Sequence, residues 1–419
     1  MRIFIKNIKR LIGIQEERNL PLKGKEMSKV GILDNAYLII EGELISDFGE
    51  MSELDATQLE AIEKSVVKVI DAKGKMLLPS YCDSHTHLVY AGSREKEFMD
   101  KIRGMSYKEI AKRGGGILNS VDLLHNTSED ELYRQTLVRA NEIIFLGTGA
   151  VEIKSGYGLS LEDEVKMLRV AKRIGEDTPL TVKRTFLGAH AVPRRYQNNR
   201  EGYVNEIINE MIPVIASEDL AEFVDIFVEG GFFTVEDAER IFTAGMKYGL
   251  RPTVHANQMS CSGGVQVGIK YNAISVDHLE ASGDEEIEAL KNSETIATML
   301  PGATFFMEMN YAPARKYIDA GVPLAIASNY NPGSCPSGDM KFMMALACLK
   351  MKLLPEEVIN AVTINGAFAM NVQDELGSIT RGKKANIFLT KNIPSYEFLP
   401  YSFSSNLIDL RILNGKVLN

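Results

Sequence analysis

The sequence contains few cysteines and no long apolar run. Its four cysteines, Cys82, Cys261, Cys335 and Cys348, are widely spaced and form no Cys-x-x-Cys pair, which argues against a disulfide framework and against a thiolate zinc site. No apolar stretch is long enough to span a bilayer, and the first ten residues interleave charged and apolar side chains without the apolar core of an export signal. These features predict a cytoplasmic protein that does not enter a membrane.

Positive charge is also limited. The chain of 419 residues has 47 Lys and Arg against 56 Asp and Glu, a formal net charge of -9. This balance argues against binding nucleic acid or anionic membranes through bulk electrostatics. A small anionic substrate would therefore need a locally basic pocket. With 45% apolar and 25% charged residues, the composition is typical of a globular protein with an ample core.

Histidine is scarce, and its distribution is uneven. Five of the six histidines lie where a hydrophobic run gives way to a loop, namely His85, His87, His190, His255 and His278. His85 and His87 fall in a strand-like segment, and alternate strand residues share a face, so both imidazoles can bind one metal ion. A His-x-His pair also occurs on the polar face of a half-buried strand. The three further strand-end histidines favour a metal site, whereas His125 is interpreted as a surface residue.

The two ends of the chain have β patterns, and the middle does not. Short strand-like runs bounded by turn residues occupy positions 36–40, 44–48, 66–70, 386–390 and 410–413. They predict a small β-sandwich domain formed from both termini, residues 1–78 and 373–419. Between them, in residues 79–372, eight strand candidates alternate with helical patterns such as 162–174 and 234–248. This alternation predicts an α/β fold, a (β/α)₈ TIM-like barrel.

Polar residues cluster where the predicted barrel strands end. Active sites of such barrels lie at the carboxyl ends of the strands. The predicted ends carry His85, His87, Lys154, Tyr157, His190, Glu229, His255, Gln258, His278 and Asn329. A single buried histidine at a strand end can be a structural hydrogen-bonding residue, but five on one rim favour a metallohydrolase. Lys154 and Glu229 are expected to form a structural pair near this rim.

These features resemble the amidohydrolase superfamily. Within it, six longer motifs are similar to the imidazolonepropionase family: Asp83–Glu95, Gly114–Ile117, Lys154–Gly158, Leu187–Ala191, His255–Gln258 and Asn331–Ser334. They span nearly the whole chain in the order that the family has. The run Gly114–Gly116 lacks the strand-before, helix-after setting of a nucleotide loop and is predicted to be a lid.

The resemblance implies hydrolysis of the ring C–N bond of 4-imidazolone-5-propanoate to N-formimino-L-glutamate, a step of histidine degradation. It implies a zinc or iron ion held by His85, His87, His255 and the residue at position 329, and it implies a homodimer. The resemblance places catalytic roles on His278, Gln258 and Asn329. By motif position the substrate contacts are Arg94, Tyr157, His190, Gln258, Asn331, Gly333 and Ser334.

The chemistry of the residues agrees with these roles but leaves alternatives. A metal ion would lower the pKa of a bound water, and His278 at the same rim can donate or accept a proton. Arg94 suits a carboxylate through a bidentate contact, although a salt bridge with Glu95 or Glu97 is the alternative. Tyr157 is otherwise a core aromatic residue and Gly333 a turn residue. Gln258 can orient substrate or water but cannot act as a carboxylate base.

Position 329 departs from the family pattern. The family has an aspartate at the end of the eighth strand, and this chain has Asn329, whose amide oxygen can approach a metal but brings no negative charge and is not a useful base. Such a residue belongs either to an inactivated variant or to a natural divergent member.

Three hypotheses stay open: an imidazolonepropionase, intact or impaired; another amidohydrolase, such as an aminohydrolase (deaminase) of purines or of formimino-glutamate; and a non-catalytic binder that retains the pocket. Arg94 and the 331–334 loop favour a small carboxylated imidazolone over a purine.

Overall fold

The computed structural model describes residues 2–15, 21–105, 109 and 115–418. In chain order its strands are β1 (Arg2–Ile12), β2 (Ile32–Glu41), β3 (Leu44–Glu50), β4 (Lys68–Asp71), β5 (Met76–Pro79), β6 (Tyr81–Thr86), β7 (Thr148–Lys154), β8 (Thr181–Ala189), β9 (Phe223–Val228), β10 (Arg251–Pro252), β11 (Val254–Ala256), β12 (Ser275–His278), β13 (Ile296–Met299), β14 (Leu324–Ile326), β15 (Ile387–Thr390), β16 (Ile408–Leu413) and β17 (Lys416–Leu418).

The α-helices are α1 (Ala56–Ser65), α2 (Glu95–Ile102), α3 (Ile117–His125), α4 (Glu129–Phe145), α5 (Leu161–Asp177), α6 (Arg200–Glu206), α7 (Ile212–Ser217), α8 (Val235–Lys247), α9 (Gly264–Lys270), α10 (Asp284–Lys291), α11 (Pro301–Phe306), α12 (Ala314–Ala320), α13 (Met340–Met351), α14 (Pro355–Val362), α15 (Ile364–Ala369) and α16 (Phe398–Tyr401). Short 3₁₀ turns occupy Gly24–Ser28, Met51–Glu53 and Arg194–Tyr196, and a π-helical turn, Ile207–Met211, joins α6 to α7.

One sheet combines both ends of the chain. Its strand order is β17-β16-β15-β5-β1-β2-β3, with β4 paired to β1. The antiparallel pairing of β5 with β15 joins the first part of the chain to the last. Ile3, Leu38, Leu77, Ile387 and Ile412 belong to one buried cluster on this sheet, so the two ends share an apolar core. The predicted fold class is confirmed, whereas the proposed boundaries at 78/79 and 372/373 stay a prediction.

The middle of the chain forms the barrel. Its parallel strands lie in the order β6-β7-β8-β9-β11-β12-β13-β14, and β10 and β11 are two pieces of the fifth strand interrupted at Thr253. The ring closes between the first and eighth strands, because the Asn329 N–H donates to the His85 carbonyl at 2.9 Å and the His87 N–H donates to the Tyr330 carbonyl at 3.0 Å. Closure therefore brings Asn329 against the His-x-His strand.

Helices cover the outside of the barrel and leave its carboxyl end open. Helix α8 begins with a capping box in which the Thr234 hydroxyl accepts from the Asp237 N–H and the Asp237 side chain accepts from the Thr234 N–H. Its buried face, which includes Ile241 and Phe242, packs on the strands. Strands β7 and β9 are buried at every position, as expected for strands of a parallel barrel that helices cover.

Two expectations from the sequence concern membranes and the lid. Among the described residues, none of the helices is both long enough and apolar enough to cross a bilayer. Gly114, the first residue of the predicted lid, lies outside the described residues. Gly116, with φ of 89°, is the residue from which α3 begins.

Candidate active site

A cavity of about 500 Å³ lies at the carboxyl ends of the barrel strands. Of the predicted site residues, all but His85 line it: His87, Arg94, Tyr157, His190, His255, Gln258, His278, Asn329, Asn331, Gly333 and Ser334. His85 is fully buried, and its ring centroid lies 4.6 Å from that of His255. Strand ends that are distant in sequence therefore converge on one place.

Two buried carboxylates orient two of the imidazoles. Nδ1 of His85 donates to Asp277 Oδ2 at 2.7 Å, and Nδ1 of His255 donates to Asp225 Oδ2 at 3.1 Å. Because Nδ1 carries the proton in each ring, Nε2 presents a lone pair. Nε2 of His255 lies 3.4 Å from Nε2 of His87, whose own Nδ1 is 3.4 Å from the Ser155 carbonyl. Two lone pairs facing each other at this distance are well suited to a cation between them.

The donor set fits a metal ion. Among the described residues, His85 Nε2 and Asn329 Oδ1 are buried and have no hydrogen-bond partner. Two triads have ligand atoms within 4.8 Å of one another, His85–His255–His278 and His87–His190–His255. Burial holds the pKa values of His85 and His87 well below the usual range, and burial lowers the pKa of His190 to about 3. The rings are therefore neutral, which is the form that binds metals.

Asn329 occupies the place that the eighth-strand ligand would take. Its backbone is in the left-handed region, with φ of 56°, which asparagine and aspartate tolerate better than most residues. Its Nδ2 donates weakly to Ser334 Oγ at 3.5 Å. Its Oδ1, which has no hydrogen-bond partner among the described residues, is the atom that could approach an electropositive ligand.

Lys154 does not pair with Glu229, and that prediction is wrong. The Lys154 ammonium is fully buried and donates to Glu152 Oε1 at 2.7 Å and Asp225 Oδ2 at 2.8 Å, with Asp277 Oδ2 at 3.4 Å. Alternate residues of a barrel strand point inward. Lys154 therefore points to the barrel axis, where it lies between the two carboxylates that orient His85 and His255.

Glu229 has a separate role beyond the end of β9. Its carboxylate accepts from the Met259 N–H at 2.9 Å and from the Ser260 hydroxyl and N–H. These contacts fix the loop that follows the fifth strand. Gln258, which is half-buried, belongs to this same loop.

Arg94 enters the cavity from the residue before α2. Its Nε and Nη2 donate to Glu97 Oε2 at 2.9 and 2.5 Å, and the other carboxylate oxygen, Oε1, accepts from the Gly116 N–H at 3.0 Å. Arg94 Nη1 lies against Gly333, where an added Cβ would be 2.0 Å from it. Arg94 thus has the Glu97 salt bridge and also lines the cavity, and Gly333 provides the space for its guanidinium.

Asn331 builds the loop rather than pointing a free amide at the cavity. Its Oδ1 accepts from the N–H groups of Gly333 and Ser334, both at 2.8 Å, and its Nδ2 donates to the Asn329 carbonyl at 2.7 Å and to Ser334 Oγ at 2.8 Å. All of these bonds lie within the loop. The side chain therefore sets the loop shape that presents Asn329 and Gly333.

An aromatic wall faces this loop. The rings of His87 and His190 stack 5.0 Å apart with an interplanar angle of 8°, and Tyr157 lies 5.5 Å from His190. Nδ1 of His190 donates to the Gly156 carbonyl at 3.0 Å, so its Nε2 is left for the cavity. Phe227 adds an apolar surface, with its centroid 6.3 Å from that of His190. This wall suits one face of a flat ring.

His278 is held in a strained position at the end of β12. His278 and Leu279 have φ values of 86° and 70°, which are uncommon for such residues and are concentrated at functional sites. Nδ1 of His278 is 3.5 Å from Glu280. By contrast, the side chain of His125 is 65% exposed and pairs with Asp163, as expected for a surface residue.

Several residues of the site were not identified from the sequence. They are Asp225, Asp277, Lys101 and Phe227. Asp225 stands as a single carboxylate in an otherwise apolar strand, and this is a usable signal because a buried charge needs a partner. Lys101 carries no such signal, since a short helix rich in charge is usually a solvated face.

Comparison with known proteins shows to which family the chain is similar. The amidohydrolase family profile matches residues 234–418. The chain is 51% identical to imidazolonepropionase of Flavobacterium johnsoniae over 418 residues, covering 100% of both chains. It is 39% identical to imidazolonepropionase of Shouchella clausii, covering 99% of this chain and 92% of that one.

Solved structures show the same fold at low identity. A triazine hydrolase variant has a TM-score of 0.76 at 16% identity, covering 100% of this chain and 94% of that one. Zinc-complexed atrazine chlorohydrolase from Arthrobacter aurescens TC1 has a TM-score of 0.72 at 16% identity, covering 99% and 95%. The fold and the histidine cluster define the class as a metal-dependent amidohydrolase. Within that class, the chain belongs to the imidazolonepropionase family.

Proposed function

We propose that the protein hydrolyses the ring C–N bond of 4-imidazolone-5-propanoate to give N-formimino-L-glutamate, a step of histidine degradation. The observation that carries this proposal is the combination, in one cavity of about 500 Å³, of neutral imidazoles with a guanidinium group. The imidazoles suit a metal ion and the guanidinium suits the propanoate carboxylate.

The reaction adds one water molecule to the ring. The water oxygen bonds to the ring carbonyl carbon, the bond from that carbon to the ring nitrogen breaks, and the nitrogen takes a proton. The former carbonyl becomes a carboxylate of the product. The site must therefore hold the ring, remove a proton from water and deliver a proton to nitrogen.

The proposed ligands of a zinc or iron ion are His85, His87 and His255, with Asn329 Oδ1 beside them. Imidazole suits both metals. When bound, such an ion would acidify water and polarise the ring carbonyl. Asp277 and Asp225 hold two of the rings in the tautomer that leaves Nε2 free, as carboxylates behind metal-binding histidines commonly do.

The other residues are proposed to bind and orient the substrate. His278 moves the proton, and Gln258 orients water or substrate without acting as a base. Tyr157 and His190 contact the ring from the aromatic wall, while Arg94 binds the carboxylate and the 331–334 loop shapes the opposite side.

Because Asn329 offers no carboxylate for the proton of water, we propose that this chain turns substrate over slowly.

Metal content and turnover, measured together, test the proposal. Purified protein should contain bound metal, and His255→Ala should lose it because one imidazole is removed from the set. His125→Ala is the matched control, since that histidine is exposed. Formation of N-formimino-L-glutamate is followed in the same preparations. Undiminished metal in His255→Ala would exclude the ligand assignment, and full metal without turnover or substrate binding would favour a different substrate.

We also propose a homodimer in the reducing cytoplasm. The family resemblance supports the dimer, and the free state of Cys82, Cys261, Cys335 and Cys348 supports a reducing compartment. Sedimentation velocity measures the oligomeric state directly. A monomer at micromolar concentration would contradict the dimer.

A further inference from the structure

A second cation faces the cavity from helix α2. Lys101 lines the cavity together with Arg94, and residues 94, 97 and 101 follow the spacing that places side chains on one face of a helix. Glu97, between them, is buried. This face of α2 therefore brings two basic residues to the cavity, with a buried acidic residue between them.

The Arg94 guanidinium already forms a salt bridge, whereas the contacts of Lys101 with the described residues are weaker. Glu97 accepts from Arg94 through Nε and Nη2, so this pair is close to neutral. The Lys101 ammonium instead donates to Met307 Sδ at 3.2 Å and lies 5.5 Å from the centre of the Phe306 ring. A thioether is a weak acceptor, and within the described part of the chain no carboxylate is recorded within 4.0 Å of Lys101 Nζ.

We propose that Lys101 is a specificity-determining residue whose ammonium binds the carboxylate of the substrate beside Arg94. The inference rests on the proposed function and adds the residue that supplies the net positive charge. A protein with a net charge of -9 gives an anion little long-range attraction, so the attraction must be local. Burial lowers the pKa of Lys101 and Arg94 acts in the same direction, while Glu97, whose carboxylate is already bound by Arg94, opposes both.

The test compares Lys101 variants with a control on the same helix. Lys101→Met removes the charge and keeps a long apolar stem, whereas Lys101→Arg keeps the charge. Lys96→Met is the matched control, because Lys96 is exposed on α2. Each protein is titrated by calorimetry with 4-imidazolone-5-propanoate and with 4-imidazolone that lacks the propanoate.

Lys101→Met should weaken binding of the carboxylated ligand about tenfold, the lower end for a charge-assisted hydrogen bond. Lys101→Arg and Lys96→Met should bind it nearly as the unaltered protein does. Affinity for the ring without propanoate should be the same in all of these proteins. In steady-state assays of Lys101→Met, KM should rise while kcat stays constant. Lys101→Gln, measured alongside, should show the same loss as Lys101→Met.

Unchanged affinity in both neutral variants would overturn the inference and leave the proposed function standing. An equal loss for both ligands would overturn it too, because it would show a structural role. If the unaltered protein binds neither ligand, the proposed function fails, and the role of Lys101 fails with it.

Discussion

The negative charge available to a metal ion in this site depends on a few individual residues. Three neutral imidazoles and the Asn329 amide bring no negative charge to a metal ion. Two carboxylates, Asp225 and Asp277, lie behind the proposed ligands and contact His255 and His85. Because Lys154 lies against both carboxylates, it offsets part of their charge. Metal retention is therefore expected to be weaker than it would be with an aspartate at position 329.

Asn329→Asp should raise both metal retention and turnover. The two side chains are nearly isosteric, and the left-handed backbone with φ of 56° accepts either, so folding should change little. Restoring a positioned base is worth about 10²–10⁴-fold in rate. Imidazolonepropanoate hydrolysis and bound metal are measured for both proteins.

Asn272→Asp serves as the control for Asn329→Asp, because Asn272 has φ of 51° and is exposed. It should behave as the unaltered chain. Equal, robust turnover by the unaltered protein and Asn329→Asp would show that His278 or another group does the proton work. No turnover by either, despite full metal, would favour the non-catalytic interpretation.

Arg94→Ala should weaken substrate binding more than it slows the chemical step. A charge-assisted contact is worth roughly 1.5–3 kcal/mol, which corresponds to about one to two orders of magnitude in affinity. Calorimetry and the separate values of KM and kcat measure this. Arg103→Ala, at the exposed end of the same helix, should have no effect. If Arg94→Ala leaves affinity unchanged, the salt bridge with Glu97 is the whole role of Arg94.

At the scale of elements, the loop after β14 links the two halves of the site. Asn329 in this loop hydrogen bonds to the His-x-His strand, and Gly333 lies against the guanidinium of Arg94. Asn331 fixes the distance between them through bonds within the loop. The loop therefore sets where the ring and the carboxylate of one substrate lie relative to each other.

Gly333→Ala should act through Arg94. A Cβ at this position would be 2.0 Å from Arg94 Nη1, the far end of a flexible side chain, so the guanidinium must move while the loop stays folded. Substrate affinity should fall, and Gly333→Ala should have no further effect in Arg94→Ala protein. Gly230→Ala, where nothing lies within 4 Å of the added Cβ, is the control. Additive losses in the double variant would show that Gly333 acts independently.

Elements with strong local signals were predictable from the sequence. The Thr234 cap and its acidic first turn place the start of α8 correctly, and β7 and β9 were found because both of their faces are buried. Strand β1 was missed, because its charged residues interrupt the apolar ones and hide the strand pattern. Its run Arg2–Ile12 has buried and half-buried positions in no simple alternation.

The site was predictable to the extent that barrel geometry determines it. Strand ends converge, so His85, His87, His190, His255 and His278 were expected at one rim, whereas Arg94 and the 331–334 loop were expected only from the family resemblance. All of them except His85, which is buried beside His255, line one cavity. The partners of Lys154 were not predictable, because they depend on which strands face each other across the axis. Residues 154, 225 and 277 are far apart in sequence and meet only after the barrel closes.

At the scale of the whole molecule, this buried charge network ties the barrel interior to the site. Lys154 lies on the second strand, Asp225 on the fourth and Asp277 on the sixth, and all three side chains are fully buried. Asp83 on the first strand accepts from the N–H and hydroxyl of Ser328, at the end of the eighth. Polar contacts inside the barrel thus connect strands that the sheet does not pair directly, and they help to close the ring.

Lys154→Met should destabilise the protein strongly. It leaves Asp225 and Asp277 buried without their countercharge, and breaking a buried pair in this way typically costs about 3–5 kcal/mol. The free energy of unfolding in urea measures the loss. Lys270→Met is the control, because the ion pair of Lys270 with Glu239 is at the surface and should contribute little to stability.

Combining Lys154→Met with Asp277→Asn should cost less stability than the sum of the two single changes, since one uncompensated carboxylate is then removed. A Lys154→Met protein as stable as Lys270→Met would show that the network orients the histidines without stabilising the barrel.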